Sequence, residues 1–495
     1  MTPVIIARLS AASAIAAATI AWVAYLRADL VLSHHDARAH LVVARRILDS
    51  LTPGWHQIGA VWLPLPHLIQ AVPLQIDAWY RSGAPASIVS IACLGVTTYA
   101  VTRLVRAATG SRLGGGVAAA LLALNPNVLY IHTTPMTEPM ALAGIAVVTL
   151  WLYEWAARDE DAVPRRLGLA LLAAAWTRYE AWLVIAAGIA AALCASARAG
   201  ASGSALRRRA WRLGRWPGAA VLLFLAASRL TTGTWLTTGF YVPDPYYDGQ
   251  LARAVLAVWW GTHRLSTRVI EAVAVGAALV LAARALTTRA HAPLLVLLSP
   301  LAAALFPVYA FYEGHPFHIR YMLLPAAACA FLAGIAVGLM RRRAAALTAL
   351  ALVALTMIQT PPWQREAPVI AEARLDLPLQ QARRRVTGCL TSAYREGRIL
   401  ASMGSLAHYM QELSHDGFAI ADFVHEGNGA LWHGALEAGP RPPVAWVLVE
   451  EQAEGGDVLA RRLRDDPRFG RGLRRVCTGG GVALYRVTAQ TASQP

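Results

Sequence analysis

Long runs of apolar residues recur along the first three quarters of the chain, and short polar stretches separate them. A helix that spans a bilayer needs about 17 to 25 predominantly apolar residues. The pattern therefore predicts an α-helical polytopic membrane protein with about eleven transmembrane helices. The predicted spans lie near residues 4–26, 85–103, 113–131, 139–156, 166–178, 181–197, 216–230, 268–284, 292–311, 321–340 and 344–358.

The stretch at 166–197 is short for two spans and long for one. A single span would put the arginine-rich loop that follows it on the outer side of the membrane, against the usual distribution of positive charge. Two short helices that meet at Thr177-Arg178-Tyr179-Glu180 keep every later loop on the expected side. We therefore predict two helices, with Arg178 and Glu180 near membrane depth inside a protein-lined cavity.

The pattern changes after about residue 359, where short strand-like runs alternate with polar helices. Strands are predicted at 399–403, 445–449 and 482–487, and helices near 366–385 and 456–465. The chain is thus expected to comprise a transmembrane domain at 1–358 and a small α/β domain at 359–495.

Two long loops are expected on the outer side, at 27–84 and 231–267. The first opens with a predicted surface helix at 36–51, in which arginines alternate with aliphatic residues in the manner of an interfacial helix. The first apolar segment is longer than the core of a signal peptide, and we predict that it is a retained helix.

The distribution of arginine predicts how the chain is oriented in the membrane. Hydrophobic residues make up 56% of the chain and charged residues 15%, and all 45 basic residues are arginine. The loops predicted to be inside carry 17 arginines in about 48 residues. This asymmetry predicts a multi-pass protein of a bacterial cytoplasmic membrane with its N-terminus inside and its C-terminal domain outside. Arginines in the inner loops account for the net charge of +16, so we do not expect the chain to bind nucleic acid.

The five cysteines divide by environment. Cys93, Cys194 and Cys329 lie inside apolar segments, where a cysteine acts as a small packing residue. Cys389 and Cys477 lie in the C-terminal domain, and they are candidates for a disulfide if that domain is outside the cytoplasm.

Ionisable residues concentrate at the predicted outer helix ends and outer loops. Because such groups are costly to insert at membrane depth, they usually mark a functional site. Their common side predicts one cavity that opens outward. The residues are His35, Asp36, His40, Glu138, Arg178, Glu180, Asp244, Asp248, Glu313, His315, His318 and Arg320.

Two acids stand at predicted helix starts. Asp36 precedes His40 by one helical turn and is a candidate proton acceptor, although capping of the surface helix is an equal alternative. Glu138 opens the fourth span, where capping again competes with a substrate-binding role. The two acids together are also candidate ligands for a divalent metal ion.

Arginines at outer helix ends are candidate phosphate ligands. The guanidinium of Arg178 or Arg320 can donate two parallel hydrogen bonds to a lipid-linked phosphate. The alternative for Arg178 is a local salt bridge with Glu180. His315 and His318, three residues apart, are weaker candidates for binding substrate or metal.

The motif Asp36-x-x-x-His40-Leu41-x-x-Ala44-Arg45 and the downstream Thr137-Glu138-Pro139 resemble the GT-C superfamily of membrane glycosyltransferases. That superfamily includes protein O-mannosyltransferases, aminoarabinose transferases and oligosaccharyltransferase subunits. The chain also resembles a group of bacterial family-39-like glycosyltransferases, with which it shares Trp62-Leu-Pro-Leu-Pro-His67 and Thr177-Arg-Tyr-Glu-Ala-Trp182. The resemblance covers about residues 1–340.

The resemblance implies an inverting transfer of a sugar from a polyprenyl-phosphate carrier to an extracytoplasmic lipid, polysaccharide or protein. It implies that Asp36 is the catalytic base or an acceptor-orienting group, that Glu138 helps to bind acceptor or metal, and that Arg178 and Arg320 bind the donor phosphate. Many relatives carry Asp-Glu after the first span, whereas this chain has Asp36-Ala37. Further candidate substrate-binding residues are His35, Tyr179, Glu180, Asp244, His315, His318 and Tyr321.

Two other classes of function remain compatible with the sequence. One is a transporter or lipid flippase, although no internal repeat is visible and the polar groups lie at one face instead of midway through the spans. The other is an inactive relative whose soluble domain binds a partner in the cell envelope.

Overall fold

The computed structural model describes residues 3–59, 61–236, 241, 243–375, 377–452 and 457–488. The α-helices of these residues are α1 (Pro3–Arg27), α2 (His35–Arg46), α3 (Pro64–Ala71), α4 (Asp77–Ser82), α5 (Ala84–Thr109), α6 (Arg112–Ala123), α7 (Pro126–Ile131), α8 (Glu138–Arg158), α9 (Arg165–Ala175), α10 (Tyr179–Arg198), α11 (Gly203–Thr232), α12 (Leu251–Ser266), α13 (Arg268–Thr287), α14 (Leu305–Tyr312), α15 (Leu323–Leu339), α16 (Arg342–Gln359), α17 (Pro368–Arg374), α18 (Leu377–Ala393), α19 (Met403–Leu413), α20 (Ala430–Ala438) and α21 (Val458–Asp465).

The strands are β1 (Arg398–Ala401), β2 (Phe423–Val424), β3 (Val444–Glu450), β4 (Leu473–Gly479) and β5 (Val482–Val487). Short 3₁₀ helices occupy Trp55–Ile58, Pro73–Gln75, Ile319–Met322, Ser414–Asp416, Ile420–Asp422 and Glu426–Asn428, and a longer one occupies Arg289–Ala304.

The chain forms two compact units, which we call the helical unit and the mixed unit. The helical unit comprises Met1–Val31, Ala86–Phe224 and Asp244–Glu372. The mixed unit comprises Leu32–Pro85, Leu225–Pro243 and Ala373–Pro495.

Eight segments within the described ranges are long and apolar enough to cross a membrane, which confirms the predicted polytopic fold class. They are Val4–Arg27, Ala84–Thr109, Glu138–Arg158, Tyr179–Arg198, Arg268–Thr287, Arg289–Tyr312, Ile319–Leu339 and Arg342–Gln359. The three other predicted spans are also helical. Helices α6 and α9 have only 12 and 11 residues, and α11 is a 30-residue helix whose first half is rich in arginine.

The predicted break between two helices at Arg178 is present, but only α9 is short, with 11 residues, whereas α10 has 20. Helix α9 ends at Ala175, and α10 begins at Tyr179 after an extended Arg178 with φ −152° and ψ 155°. Two side chains donate hydrogen bonds to carbonyl groups in the last turn of α9, where the helix no longer supplies the N–H four residues on. The hydroxyl of Thr177 donates to Ala174 O at 2.7 Å, and the indole of Trp182 donates to Ala175 O at 2.7 Å.

Small residues allow α6 and α15 to cross closely in the helical unit. A Cβ atom added to Gly114 would lie 2.6 Å from Gly334 O, and one added to Gly334 would lie 2.4 Å from the Cβ of Ala118. Small residues spaced four apart, such as Gly334 and Gly338, are typical of membrane helix contacts, where backbones approach each other without side chains between them.

The mixed unit contains a five-stranded sheet in the order β2-β1-β3-β5-β4. Strand β1 pairs parallel with β2 and β3, whereas β5 pairs antiparallel with β3 and β4. One face packs on a core that includes Leu400, Val447, Val449 and Leu459. The three predicted strands correspond to β1, β3 and β5, while β2 and β4 are additional.

Residues 32–85 pack with the C-terminal α/β fold inside the mixed unit. Helix α2, which ends at Arg46 instead of the predicted residue 51, lies against α3 and α19. The predicted domain boundary at residue 358 stays a prediction. Each compact unit is made of three separate segments of the chain, so the units are not divided at one point in the sequence.

A disulfide joins two elements of the C-terminal fold. It connects Cys389 on α18 with Cys477 on β4, and their Cα atoms are 6.4 Å apart. The pairing considered from the sequence is therefore present, and Cys93, Cys194 and Cys329 are free thiols.

Candidate functional site

The residues predicted from the sequence form two groups, one in each unit. The helical unit holds Glu138, Arg178, Tyr179, Glu180, Asp244, His315, His318, Arg320 and Tyr321. The mixed unit holds His35, Asp36 and His40. The predicted single vestibule that contains both groups stays a prediction.

Glu138 and Arg178 are at the centre of the group in the helical unit. The side chain of Glu138 has an exposed fraction of 0%, and its Oε1 lies 3.1 Å from Nη1 of Arg178. Arg178 also holds Oε1 of Glu180 at 2.8 Å and donates to the hydroxyl of Thr137 at 3.0 Å. The salt bridge that the sequence left as the alternative for Arg178 is thus formed, and phosphate binding by Arg178 stays a prediction.

Arg320 extends this network. Its Nε lies 3.6 Å from Glu138 Oε1, and its Nη1 lies 3.6 Å from Oε1 of Glu372. Glu372 also accepts from the backbone N–H of Arg320 at 3.3 Å, and its Oε1 lies 2.9 Å from Nδ1 of His318. Glu372 was not predicted, because it lies in a short helix outside the apolar spans and far from the other residues in the sequence.

The local fold explains why these side chains are held in place. Glu138 is the first residue of α8, where the helix dipole favours a carboxylate. Arg178 is in the extended link before α10, Arg320 is in the 3₁₀ turn before α15, and Glu372 is near the end of α17. Four chain segments therefore converge on one buried group of charges, which we call the arginine–carboxylate cluster (Glu138, Arg178, Glu180, Arg320 and Glu372).

The arginine–carboxylate cluster contains more carboxylates than guanidinium groups. Among these described residues, two guanidinium groups face three carboxylates. An arginine keeps its proton in proteins, so both cations are permanent. Both guanidinium groups are therefore held against carboxylates in this structure.

The other predicted residues of the helical unit make local contacts. Tyr179 stacks on Phe306 with ring centroids 5.7 Å apart. Asp244 accepts from the backbone N–H of Tyr246 at 2.9 Å, and its own N–H donates to Gly314 O at 2.7 Å.

His315 lies 3.3 Å from the hydroxyl of Tyr321, and its ring centroid is 5.6 Å from that of His318. The guanidinium of Arg320 lies over the ring of Tyr321, 5.3 Å from its centroid. Through Arg320, this aromatic group adjoins the arginine–carboxylate cluster.

Asp36 lies in the first turn of α2, in the mixed unit. The N-cap of the helix is His34, whose Nδ1 accepts from the backbone N–H of Asp36 at 3.2 Å. The interpretation of Asp36 as the N-cap is therefore wrong, because a histidine takes that role. The side chain of Asp36 is 18% exposed, and its Oδ1 lies 3.1 Å from Nε2 of His35.

A potential metal-binding group includes Asp36. One ligand atom from each of His34, His35 and Asp36 lies within 4.8 Å of the others. Two imidazoles and a carboxylate suit Zn²⁺, which leaves a fourth position open in catalytic sites. The predicted metal ligation by Asp36 together with Glu138 stays a prediction, since these two residues belong to different units.

His40 lies one turn after Asp36 and belongs to a group of three rings. Its Nδ1 is 3.1 Å from Nε2 of His67, and the Nδ1 of His67 is 3.0 Å from Leu63 O. The ring of Trp62 packs on His40 with centroids 4.3 Å apart. Burial lowers the pKa of His67 to about 4, although its hydrogen bond to Leu63 opposes the shift.

Comparison with known proteins shows similarity in structure but none in sequence. No family model matches the chain, and no curated protein matches it significantly. The fold is similar to that in the crystal structure of ArnT from Cupriavidus metallidurans bound to undecaprenyl phosphate. The TM-score is 0.52 at 12% sequence identity, and the alignment covers 96% of this chain and 99% of ArnT.

The chain therefore has the GT-C glycosyltransferase fold that the sequence motifs predict. With its candidate spans, it is a multi-pass membrane protein.

Proposed function

We propose that the chain transfers a sugar from a polyprenyl-phosphate carrier to an acceptor on the extracytoplasmic side of a bacterial cytoplasmic membrane. The observation that carries the proposal is the buried arginine–carboxylate cluster within a GT-C fold. The structural relative ArnT, which was crystallised with undecaprenyl phosphate, supports the choice of a lipid-linked donor.

In this proposal Arg178 and Arg320 bind the donor phosphate. Both guanidinium groups are largely buried, with side chains 15% and 4% exposed, so their charges are weakly screened by water. The phosphate replaces one carboxylate partner as it enters. The arginines then stabilise the negative charge that develops on the leaving phosphate, which is the kind of electrostatic effect that often contributes most to catalysis.

Asp36 acts as the base. The acceptor O–H or N–H bond breaks as its proton passes to the Asp36 carboxylate, and the acceptor atom forms a bond to the anomeric carbon. The bond from that carbon to the phosphate oxygen breaks at the same time. Polyprenyl phosphate leaves with the electron pair, so the configuration at the anomeric carbon is inverted.

A divalent metal ion is a further part of the proposal. His34, His35 and Asp36 are the residues that would hold it. A bound ion would supply Lewis-acid activation of the acceptor group. Asp36 would then orient the acceptor as well as receive its proton.

The proposed location is extracytoplasmic for both Asp36 and the C-terminal fold. The disulfide between Cys389 and Cys477 supports it, because disulfides persist mainly in oxidising compartments. Nucleotide sugars are confined to the cytoplasm, so an enzyme that acts outside needs a sugar carrier in the membrane.

The test is a reconstituted reaction of the full chain in proteoliposomes. Polyprenyl phosphates that carry labelled hexoses or pentoses are supplied with an extract of envelope lipids and polysaccharides, and nucleotide sugars are supplied in parallel. We expect release of free polyprenyl phosphate and labelling of the extract from lipid donors only. Movement of intact lipid donor across the bilayer without cleavage would instead indicate a flippase, and neither activity would indicate an inactive relative.

A further inference from the structure

Helix α2, which carries Asp36 in its first turn, lies against α19 of the C-terminal α/β fold inside the mixed unit. Near the start of α2, Arg38 donates to Gln411 near the end of α19. At the end of α2, Arg46 donates to Met403 at the start of α19. The two contacts are eight residues apart on both helices, so α2 and α19 run antiparallel and side by side for about two turns.

Gln411 joins three segments of the mixed unit. Its side chain is fully buried, and its Oε1 accepts from Nη1 of Arg38 at 2.8 Å. Its Nε2 donates to the carbonyl oxygens of Tyr80 and Arg81, which are 3.4 and 3.1 Å away. Because a guanidinium only donates and a carbonyl oxygen only accepts, these partners fix the orientation of the amide. Gln411 therefore links α2 and the end of α4 to α19.

Arg38 carries this restraint to the first turn of α2. Its Nε donates to Leu32 O at 2.9 Å, in the segment that leads into the helix. Its Nη1 lies 3.6 Å from Oε2 of Glu412, and that oxygen also lies 3.4 Å from Nε of Arg383 on α18. The side chains of Arg38 and Glu412 are only 11% and 12% exposed, so water screens this ion pair weakly. The start of α2 is thus tied to both α18 and α19.

The chain after α2 is attached to the same fold. The carboxylate of Asp49 accepts from the backbone N–H groups of Ile420 and Ala421, each at 3.1 Å. Further along the chain, Nε2 of Gln57 donates to Gly427 O at 2.8 Å. These partners come shortly before and shortly after the edge strand β2. Helix α2 is therefore held by the C-terminal α/β fold at both of its ends.

We propose that the C-terminal α/β fold sets the position of α2 for sugar transfer, and that Gln411 is a positioning residue that acts through Arg38 on Asp36. This inference rests on the proposed function and deepens it. Arg38 follows Asp36 by two residues in the same turn, so a shift of Arg38 displaces the Asp36 carboxylate. A displacement of about 1 Å at a reacting group can cost about 100-fold in rate, even when the altered residue is remote.

Two substitutions of Gln411 separate its contacts. Gln411→Met keeps the length of the side chain and removes every hydrogen bond. Gln411→Glu keeps an acceptor oxygen for Arg38 and removes the amide donor to the carbonyl groups of Tyr80 and Arg81. We expect the Met variant to lose about 10–100-fold in kcat at an unchanged KM for the lipid donor. The Glu variant should keep most of the native kcat, because the contact with Arg38 is retained.

A double-mutant cycle and a matched control test the route of the effect. Arg38→Met combined with Gln411→Met should lose no more kcat than Arg38→Met alone, because Gln411 acts through Arg38. Ser405→Ala is the control on the same helix, since the hydroxyl of Ser405 donates to Asp457 at 2.8 Å. It removes a hydrogen bond from the same fold and should keep the native kcat. Hydrogen exchange of the full chain in lipid nanodiscs should be faster in α2 in Gln411→Met only.

The outcomes are distinct. Equal losses of kcat in Gln411→Met and Gln411→Glu, an effect on KM alone, or native exchange of α2 in Gln411→Met would each overturn the inference. If Gln411→Met does not fold, Arg38→Lys takes its place, because an ammonium group lacks the fork that reaches both Leu32 and Gln411; a native kcat in that variant would overturn the inference. An absence of sugar transfer by the native chain would overturn the proposed function, and hydrogen exchange would still show whether Gln411 holds α2.

Discussion

The guanidinium of Arg178 lies 3.1 Å from the carboxylate of Glu138, a side chain with no exposed surface. Arg178 joins two chain segments in this way, since it follows α9 while Glu138 begins α8. The Nη2 of Arg178 also lies 2.8 Å from Oε1 of Glu180. The arrangement therefore keeps a cation deep in the helical unit, where an unpaired charge would be very unfavourable.

Removal of that cation should destabilise the protein. In Arg178→Met, Glu138 and Glu180 lose their nearest cation while they stay buried. Breaking a buried pair in this way typically costs about 3–5 kcal/mol. Thermal unfolding of the purified chain in detergent should show a clearly lower midpoint than that of the native protein.

Two further variants check the cause. Arg178→Met combined with Glu180→Gln should recover part of the lost stability, because one buried charge is removed. Arg166→Met is the matched control, since Arg166 is 54% exposed and 3.6 Å from Glu154, and such exposed pairs contribute only about 0–1 kcal/mol. An Arg178→Met variant as stable as Arg166→Met would show that the cluster is not held by these charges.

Much of the fold could be predicted from the sequence because hydrophobic length is a strong signal. Apolar runs identified the spanning helices, and the positive charge of the loop after residue 197 resolved the region around Arg178 into α9 and α10. The short strand β2 and the exposed strand β4 were missed. Strand β2 has two residues, and β4 contains the adjacent Arg474 and Arg475, so neither shows the regular alternation of a half-buried strand.

The sites could be predicted only in part. The sequence identified Glu138, Arg178 and Arg320, because ionisable residues beside apolar spans stand out. It missed Glu372, which lies in the seven-residue helix α17 and reaches Arg320 only through tertiary packing. It also missed the hydrogen bond between His40 and His67, because the contact of two histidines 27 residues apart depends on how α2 and α3 pack.

The disulfide should stabilise the C-terminal fold. Cys389 and Cys477 are 88 residues apart, and a crosslink over a long loop typically contributes about 2–5 kcal/mol by restricting the unfolded chain. Cys389→Ser or reduction should lower the unfolding midpoint and expose this fold to protease. Cys194→Ser, which removes a free thiol, is the control. Equal protease resistance with and without reductant would contradict the prediction.

Acid should destabilise the mixed unit through His67. Burial lowers its pKa from 6.5 to about 4, and the nearby Arg46 adds to the shift. Below pH 6.5, His67 of the unfolded chain binds a proton, whereas the buried His67 of the folded chain stays neutral. The free energy of unfolding therefore falls as the pH drops from about 6.5 to about 4. The full shift corresponds to about 3 kcal/mol.

Unfolding of the native chain and of His67→Gln should be compared across this pH interval. The variant lacks the titrating group, so its stability should fall less steeply than that of the native chain. Parallel curves for the two proteins would mean that His67 does not stay neutral through burial.

The most direct measurement is the rate of sugar transfer from a polyprenyl-phosphate donor by the native chain and by Asp36→Asn. An amide cannot accept the proton of the acceptor, and loss of a general base typically lowers the rate by about 10²–10⁴-fold. We expect that loss in kcat with little change in the KM for the donor, while Asp465→Asn, at a 68% exposed side chain, keeps the native rate. Transfer by Asp36→Asn at the native rate would contradict the proposed mechanism.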